Sequence, residues 1–365
     1  MKGLSRRSSQ LLLQKETVFI IGAGASFELK LPLGSALREE IAELVDIRYD
    51  LNRQISGDEQ IDHHLREIAR EAGQATIKEL LQKCWLMRDA LPGSISIDNL
   101  IDAHRNDDAF AEIGKMAIAK AILSAERKSK LFFDQRRGEN FSLRSVDGTY
   151  LIPILQILTE NVPREDVASI FSNVSFVVFN YDRCLEFFLP HALMAYYGLP
   201  RSEAEAVCDT ARIIHPYGRV GEFGRGQSLS TAGFGSESGN IREIAQGIRT
   251  FSEGLAEDEA GAEISSAIGQ ADQIVFLGFA FHPMNMEILR PRGFSLVTEV
   301  YGTTHGLSDA AIRSVESGLL QALGKRAPDD LMPPPEAHEI LDELNLEGRT
   351  AADFLQAHFR GIADN

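Results

Sequence analysis

The chain has 365 residues, of which 44% are hydrophobic and 25% are charged, close to the averages for globular proteins. This length is ample for a buried core and predicts one large domain or two smaller ones. The formal net charge of -16 comes from 37 basic and 53 acidic side chains. Such a surface repels nucleic acid phosphates, so we expect no direct binding of nucleic acid.

No apolar run approaches the ~20 residues that a bilayer span needs. The first segment, Met1–Lys15, is basic but lacks the apolar core of a signal peptide. We therefore expect a cytoplasmic protein with an arm at residues 1–15 that is flexible or bound to a partner.

The first predicted element is Thr17–Ile21, a β-branched and aromatic run typical of a strand buried on both faces of a parallel sheet. It is followed by the turn Gly22-Ala23-Gly24-Ala25-Ser26 and by a helical pattern from Gly34 to about Val45. Strand, glycine turn and helix open a nucleotide-binding α/β unit, although an empty tight turn has the same pattern. Phe27 replaces the third glycine of the dinucleotide fingerprint, which disfavours an ordinary dehydrogenase.

The stretch from about residue 58 to residue 167 is predicted to be helical, because apolar residues recur at helical spacing and no strong strand interrupts them. We interpret it as a large α-helical insertion in an α/β domain that spans residues 16–306. Residues 307–365 are predicted to form a helical C-terminal segment.

Further strands are predicted after this stretch, and helical patterns lie between them. The strand runs are Val174–Phe179, Arg212–Ile214, Ile274–Leu277 and Ser295–Tyr301, and the helical patterns are Arg183–Tyr197, Ile241–Gly254 and Glu263–Ile268. Strands that alternate with helices predict a Rossmann-like, mostly parallel sheet covered on both faces.

Polar side chains follow the strand that ends at Phe179. Asn180 and Asp182 come directly after a fully apolar run, so they are expected at the edge of the sheet where ligands bind. An amide there holds a ribose hydroxyl, a carboxamide or a water. The alternative is that Asn180 or Asp182 only caps the helix that follows.

The next two strand ends also carry chemistry. His215 follows Ile214 and is suited to general base catalysis, although a lone histidine is more often structural. Gly278 follows Leu277, and His282 shortly after it is a competing candidate base. Four successive strand ends with glycine or polar residues at one edge together predict a dinucleotide site.

The order of these motifs resembles the sirtuin family. Gly22-Ala23-Gly24-Ala25-Ser26 with Pro32 resembles the sirtuin entry motif, and Phe179-Asn180-Tyr181-Asp182 resembles its Asn-x-Asp motif. Ile214-His215-Pro216-Tyr217-Gly218 is similar to the strand-end histidine, and Phe276-Leu277-Gly278-Phe279 to the later glycine loop. Ile97-Asp98-Asn99-Leu100 is similar to a short motif in the helical insertion, to which we assign no role from the sequence.

The likeness is greatest to sirtuin-like domains of bacterial antiphage defence, some of which are paired with a hexameric translocase ATPase. It implies a homo-oligomeric NAD hydrolase that releases nicotinamide and leaves ADP-ribose. Asn180 would position the attacking water and His215 would be the base. The substrate-binding residues implied by the resemblance are Gly22, Ala23, Gly24, Ser26, Pro32, Asp182, Gly278 and Phe279.

The departures from protein-deacylating sirtuins bear on the activity. Cys84, Cys184 and Cys208 are widely separated and form no Cys-x-x-Cys pair, so the zinc module of that group is missing and no metal is expected. Leu33-Gly34-Ser35 stands where that group has Asp-Phe-Arg. Two alternatives stay open: an NAD-dependent protein deacylase or ADP-ribosyl transferase, and a catalytically silent nucleotide-sensing subunit of a partner ATPase or nuclease.

Overall fold

The computed structural model describes residues 13–72, 76–223, 232–250, 253, 259–293, 295–323, 341 and 343–363. The predicted arm at residues 1–15 therefore lies almost entirely outside the described residues. Within the described part of the chain, no helix is both long enough and apolar enough to cross a membrane.

The described residues form a six-stranded parallel sheet, a two-stranded hairpin and helices. The strands are β1 (Thr17–Ile21), β2 (Arg48–Asp50), β3 (Arg53–Ser56), β4 (Val174–Val178), β5 (Arg212–Ile214), β6 (Gln273–Leu277), β7 (Glu299–Thr303) and β8 (Glu343–Glu347). The first helices are α1 (Ala23–Phe27), α2 (Gly34–Val45), α3 (Glu59–Ala72), α4 (Ile77–Ala90), α5 (Ile97–Ala103), α6 (Asp108–Lys128), α7 (Leu151–Thr159) and α8 (Cys184–Tyr197). They are followed by α9 (Arg201–Cys208), α10 (Ile241–Ala245), α11 (Glu259–Gln270), α12 (Pro283–Ile288), α13 (Asp309–Leu323), α14 (Ala351–Ala357) and α15 (Phe359–Ala363).

The order of strands in the large sheet is β5-β4-β1-β6-β7-β8, with every pair parallel. Counted along the chain within this sheet, this is the order 3-2-1-4-5-6 of the Rossmann fold. The chain crosses from one side of β1 to the other between β5 and β6, so the connections leave β1 and β6 in opposite directions. Such a switch point opens a crevice beyond the carboxyl ends of the two strands.

Both faces of the sheet are covered, as expected for a parallel sheet. Side chains alternate along β1, so that Val18 and Ile20 belong to one hydrophobic core and Phe19 and Ile21 to the other. Helices α2 to α6 pack on the first face, and α7, α8 and α14 pack on the second. The stretch predicted as a helical insertion is therefore helical and shares its core directly with the sheet.

The prediction of a helical C-terminal segment is wrong in part. Residues 343–347 form the edge strand β8, which pairs with β7 in the register Val300↔Leu344 and Gly302↔Leu346. Leu344 and Leu346 alternate with polar residues and pack against the first core. Two apolar residues are too few to distinguish period 2 from helical spacing in the sequence alone.

Other boundaries also differ from the sequence prediction. The helix that begins at Ile241 already ends at Ala245, and residues 246–250, which were predicted to continue it, are not helical. Of the rest of the predicted helix, residues 251, 252 and 254 lie outside the described residues. Strand β7 runs from Glu299 to Thr303 rather than from Ser295 to Tyr301. The hairpin of β2 and β3 was not predicted.

Candidate functional site

Four strands of the sheet end at one edge, and this edge carries the residues singled out by the sequence. Ile21 of β1 is in register with Val178 of β4 and with Leu277 of β6, and Val177 is in register with Ile214 of β5. The turns that follow these strands therefore meet, as the sequence predicted.

The glycine turn after β1 packs directly against the turn after β6. The Gly22 amide donates to the carbonyl of Leu277 (2.9 Å), and the Gly24 amide donates to the carbonyl of Gly278 (3.0 Å). A Cβ on Gly22 would lie 2.5 Å from the Gly278 oxygen. Gly278 has a φ of +57°, and its Cβ would lie 2.0 Å from the nitrogen of Ala25. These glycines allow two backbones to touch at the switch point, and the amides of Gly22 and Gly24 are used within the chain.

Ser26 joins the glycine turn to the polar segment after β4. Its hydroxyl donates to Asp182 Oδ2 (2.9 Å) and accepts from Asn180 Nδ2 (2.9 Å). Ser26 and Asp182 are buried, and Asn180 is half-buried. The three residues are thus brought together as predicted. The hydroxyl of Ser26, which was expected to bind substrate, is already hydrogen-bonded to the side chains of Asp182 and Asn180.

Asp182 also has the helix-initiating role that the sequence left open. Its Oδ1 accepts from the amide of Cys184, the first residue of α8, at 3.1 Å. Burial raises the pKa of the Asp182 carboxyl, and the hydrogen bonds from Cys184 and Ser26 oppose this effect. One oxygen of Asp182 therefore supports the helix and the other holds Ser26.

His215 lies beside Asn180, and both of its ring nitrogens have partners. Nδ1 lies 3.1 Å from the carbonyl oxygen of Asn180, and Nε2 lies 2.8 Å from Oε1 of Glu186 on α8. Arg219 donates to the same carboxylate oxygen at 3.1 Å. The His215 side chain is only 4% exposed. The sequence did not single out Glu186, which is the third residue of α8 and lies within its first turn.

The carboxyl of Glu186 is strongly acidic. Burial by itself raises its pKa, but the charge and hydrogen bond of His215 and the charge of Arg219 outweigh burial and bring the pKa to about 2. Glu186 is therefore ionised at neutral pH.

The helical stretch contributes Asp98 to the other side of the Asn180–Asp182 segment. The hydroxyl of Tyr181 donates to Asp98 Oδ1, and the ring of Tyr181 lies 6.5 Å from that of Tyr217. Tyr217 in turn donates to Asn285 of α12 at 2.6 Å. Burial raises the pKa of the Asp98 carboxyl. The sequence drew attention to the segment around Asp98, but it did not predict this contact or the contact with Asn285.

A buried ion pair anchors the same segment to α6. Arg183 Nε lies 3.1 Å and Nη2 2.6 Å from the two carboxylate oxygens of Glu126, and neither side chain is exposed. Arg183 also donates to the carbonyl of Ala232 (2.6 Å), and Glu126 accepts from the amide of Gly235 (2.9 Å). The pair ties helix α6 and residues 232–235 to the turn after β4, and sequence reasoning missed it.

Three other predicted residues have different surroundings. Phe279 is buried and packs its ring 4.9 Å from Phe179, within the first core. Pro32 lines a surface groove of about 510 Å³ together with Phe27 and Lys128, and neither Asn180 nor His215 is among the residues that line it. The ring of His282 accepts from the amide of Met284 at 3.4 Å and caps α12.

No family model and no curated protein sequence matches this chain.

Proposed function

We propose that this protein is an NAD hydrolase that cleaves NAD to nicotinamide and ADP-ribose and acts in bacterial antiphage defence. The observation that supports the proposal most is the position of Asn180. Its amide lies at the carboxyl edge of a sheet in Rossmann order, and Ser26 joins it to the glycine turn at the switch point. The choice of NAD as the substrate rests on the resemblance of the motifs to the sirtuin family.

The reaction suits a neutral amide. When the bond between the ribose and nicotinamide breaks, its electron pair leaves with nicotinamide and positive charge develops on the ribose. A neutral amide can hydrogen-bond beside the ribose without adding a positive charge that would repel the developing cation. The Nδ2 group of Asn180 donates a hydrogen bond to Ser26. The Oδ1 atom of Asn180 is therefore the one that accepts a hydrogen bond from a ribose hydroxyl or from the attacking water.

His215, the base implied by the resemblance, can act as a base only if one of its ring nitrogens becomes free. A general base needs a free lone pair on one ring nitrogen. Both nitrogens of His215 face partners, so His215 acts as a base only after its contact with Glu186 or with Asn180 opens. Substrate binding is proposed for Gly22, Ala23, Gly24, Ser26, Asp182 and Gly278. Pro32 and Phe279, which the resemblance also implied, have other surroundings and are not part of the proposal.

Assembly is part of the proposal. An NAD hydrolase that is always fully active would be toxic, so we propose that a trigger raises the activity above a low basal rate, and the buried His215 fits such a low rate. We propose a homo-oligomer, with a hexameric translocase ATPase as a partner, on the resemblance alone.

The decisive experiment follows nicotinamide and ADP-ribose by chromatography when the purified protein is incubated with NAD. Wild type is compared with Asn180→Ala and His215→Ala, and with Asn140→Ala as a control because Asn140 is exposed. We expect release by wild type and by the control, and at least a hundredfold slower release by Asn180→Ala. Equal release by Asn180→Ala and wild type would contradict the assignment of Asn180.

A second function is favoured by one observation. His215 is buried with both nitrogens engaged, which is also what a catalytically silent NAD-sensing subunit would show. Calorimetric titration with NAD separates the two proposals. NAD that binds the wild type and is recovered intact favours the sensor.

A further inference from the structure

The contacts of His215 determine the protonation of its ring. The carbonyl oxygen of Asn180 accepts hydrogen bonds and has no proton to donate. The carboxylate of Glu186 also receives a hydrogen bond from Arg219 on the same oxygen, and an ionised carboxylate is an acceptor only. Both contacts exist together only when Nδ1 and Nε2 each carry a proton. The two contacts therefore fit the imidazolium form of His215, in which both ring nitrogens donate.

The charge on His215 also stabilises the ionised carboxylate of Glu186. Its Oε1 accepts from His215 and from Arg219, whereas its buried Oε2 has no hydrogen-bond partner among the described residues. A buried carboxylate is costly unless it is paired and hydrogen-bonded. The charge on Glu186 is thus balanced mainly by His215, and separating the two would leave a buried ion without its main partner.

The cation is connected to the candidate site through the main chain. His215 Nδ1 donates to the carbonyl of Asn180, and this fixes the peptide group directly after the Asn180 side chain. The same side chain is held from the other direction by Ser26. Asn180 is therefore constrained at both its amide side chain and its carbonyl.

We propose that Glu186 and His215 form a charged pair that positions Asn180, and that His215 is a positioning residue in its charged form rather than the general base. The effect on catalysis rests on the proposed NAD hydrolysis, whereas the charged pair itself does not. Glu186 acts through His215 and holds it in place. Asn180 positions the water that adds to the ribose cation after nicotinamide leaves, and the proton that this water loses passes to the solvent.

The first test measures the pair without any activity. The protein is labelled with ¹⁵N-histidine, and the side-chain resonances of His215 are identified by their loss in His215→Gln. At pH 7 without NAD we expect both ring nitrogens to be protonated and coupled to slowly exchanging protons. A ring with one bare nitrogen at pH 7 would overturn the proposal, whatever the protein does to NAD.

The second test uses the sign of the pH dependence of NAD cleavage. A positioning imidazolium loses its effect as pH rises and it loses a proton, so the rate falls on the alkaline side. A general base loses its effect as pH falls, so the rate falls on the acid side. The other charged groups near the pair are Arg219 and Asp182, and Asp98 lies across the segment. A variant of Glu186 leaves these three groups in place, so a change in the pH dependence of cleavage in that variant is assigned to the pair.

In Glu186→Gln the charge that stabilises the imidazolium is lost. We expect cleavage to slow at least tenfold at pH 7 and its alkaline limb to move to lower pH. Glu203→Gln, an exposed neutralisation on α9, is the matched control and should leave both unchanged. An acid limb that moves in Glu186→Gln would assign His215 as the base and refute the positioning role. If wild type does not cleave NAD at all, the proposed function fails, and the histidine spectra still decide the state of the pair.

Discussion

Ser26 donates its hydroxyl to Asp182 across 2.9 Å, and this contact joins the turn after β1 to the turn after β4. The two residues are 156 positions apart in the chain. Both are buried, so the contact is shielded from water. Together with the hydrogen bond from Asn180 Nδ2 to the Ser26 hydroxyl (2.9 Å), it links the glycine turn to the segment that carries Asn180.

Ser26→Ala removes this link. The buried Oδ2 of Asp182 loses its donor and Asn180 loses its acceptor. An unpaired buried polar group costs about 1–3 kcal/mol, and we expect a loss of this size in the free energy of unfolding. Urea unfolding measures it, with Ser317→Ala on the exposed face of α13 as a control within about 0.5 kcal/mol of wild type. If both variants are equally stable, the Ser26 contact is dispensable. Under the proposed function, cleavage of NAD by Ser26→Ala also slows at least tenfold.

Gly278→Ala tests the contact between the two turns at the switch point. The new Cβ would meet the backbone of Ala25 at 2.0 Å, and the residue has a φ of +57°. Gly198→Ala is a matched control, because Gly198 has a φ of +66° and open space where the Cβ would be. The control should cost about 1–2 kcal/mol for the left-handed backbone alone. We expect Gly278→Ala to lower stability by at least twice as much in the same urea titration. Equal losses would mean that the turns separate easily.

Arg183→Met tests the buried pair between Arg183 and Glu126. Removal of one partner leaves an uncompensated buried charge, which costs about 3–5 kcal/mol. The control is Arg201→Met, which breaks the exposed pair with Glu205 on α9 and should cost at most about 1 kcal/mol. Thermal unfolding compares the two. A double variant, Arg183→Met with Glu126→Met, should recover part of the loss, and failure to recover any would argue against the charge as its cause.

Glu186 makes the free energy of unfolding depend on pH in the acidic range. Its pKa is lowered from 4.5 to about 2 in the folded chain. A carboxyl with a depressed pKa stabilises the folded state above its unfolded pKa, and this stabilisation is lost as pH falls through the folded pKa. A shift of this size corresponds to about 3 kcal/mol at neutral pH.

We therefore expect Glu186→Gln to be less stable than wild type above pH 5 and to approach it as pH falls from 4.5 towards 2. Urea unfolding at a series of pH values measures the difference, with Glu203→Gln as the control that shows no such trend. A difference that does not vary with pH would mean that Glu186 is not held by a cation.

The sequence by itself determined the strands β1, β4, β5 and β6, because each is a short β-branched or aromatic run that ends at a glycine or a polar residue. Since parallel strands end at a common edge, it also placed Asn180, Asp182 and His215 close together before any contact was known. Helix α2 was predicted with its observed limits, Gly34 and Val45, from its apolar spacing.

Only the tertiary structure decided what each of these side chains contacts. Glu186 meets His215 across 29 positions, and Asp98 meets Tyr181 across 83. Such pairs depend on how the crossovers pack, and no local pattern in the sequence encodes them. The edge strand β8 was hidden for a related reason, because Leu344 and Leu346 become a strand only when β7 offers them backbone partners. Strand ends are local properties of a chain, whereas the partners of a buried polar group are set by the whole fold.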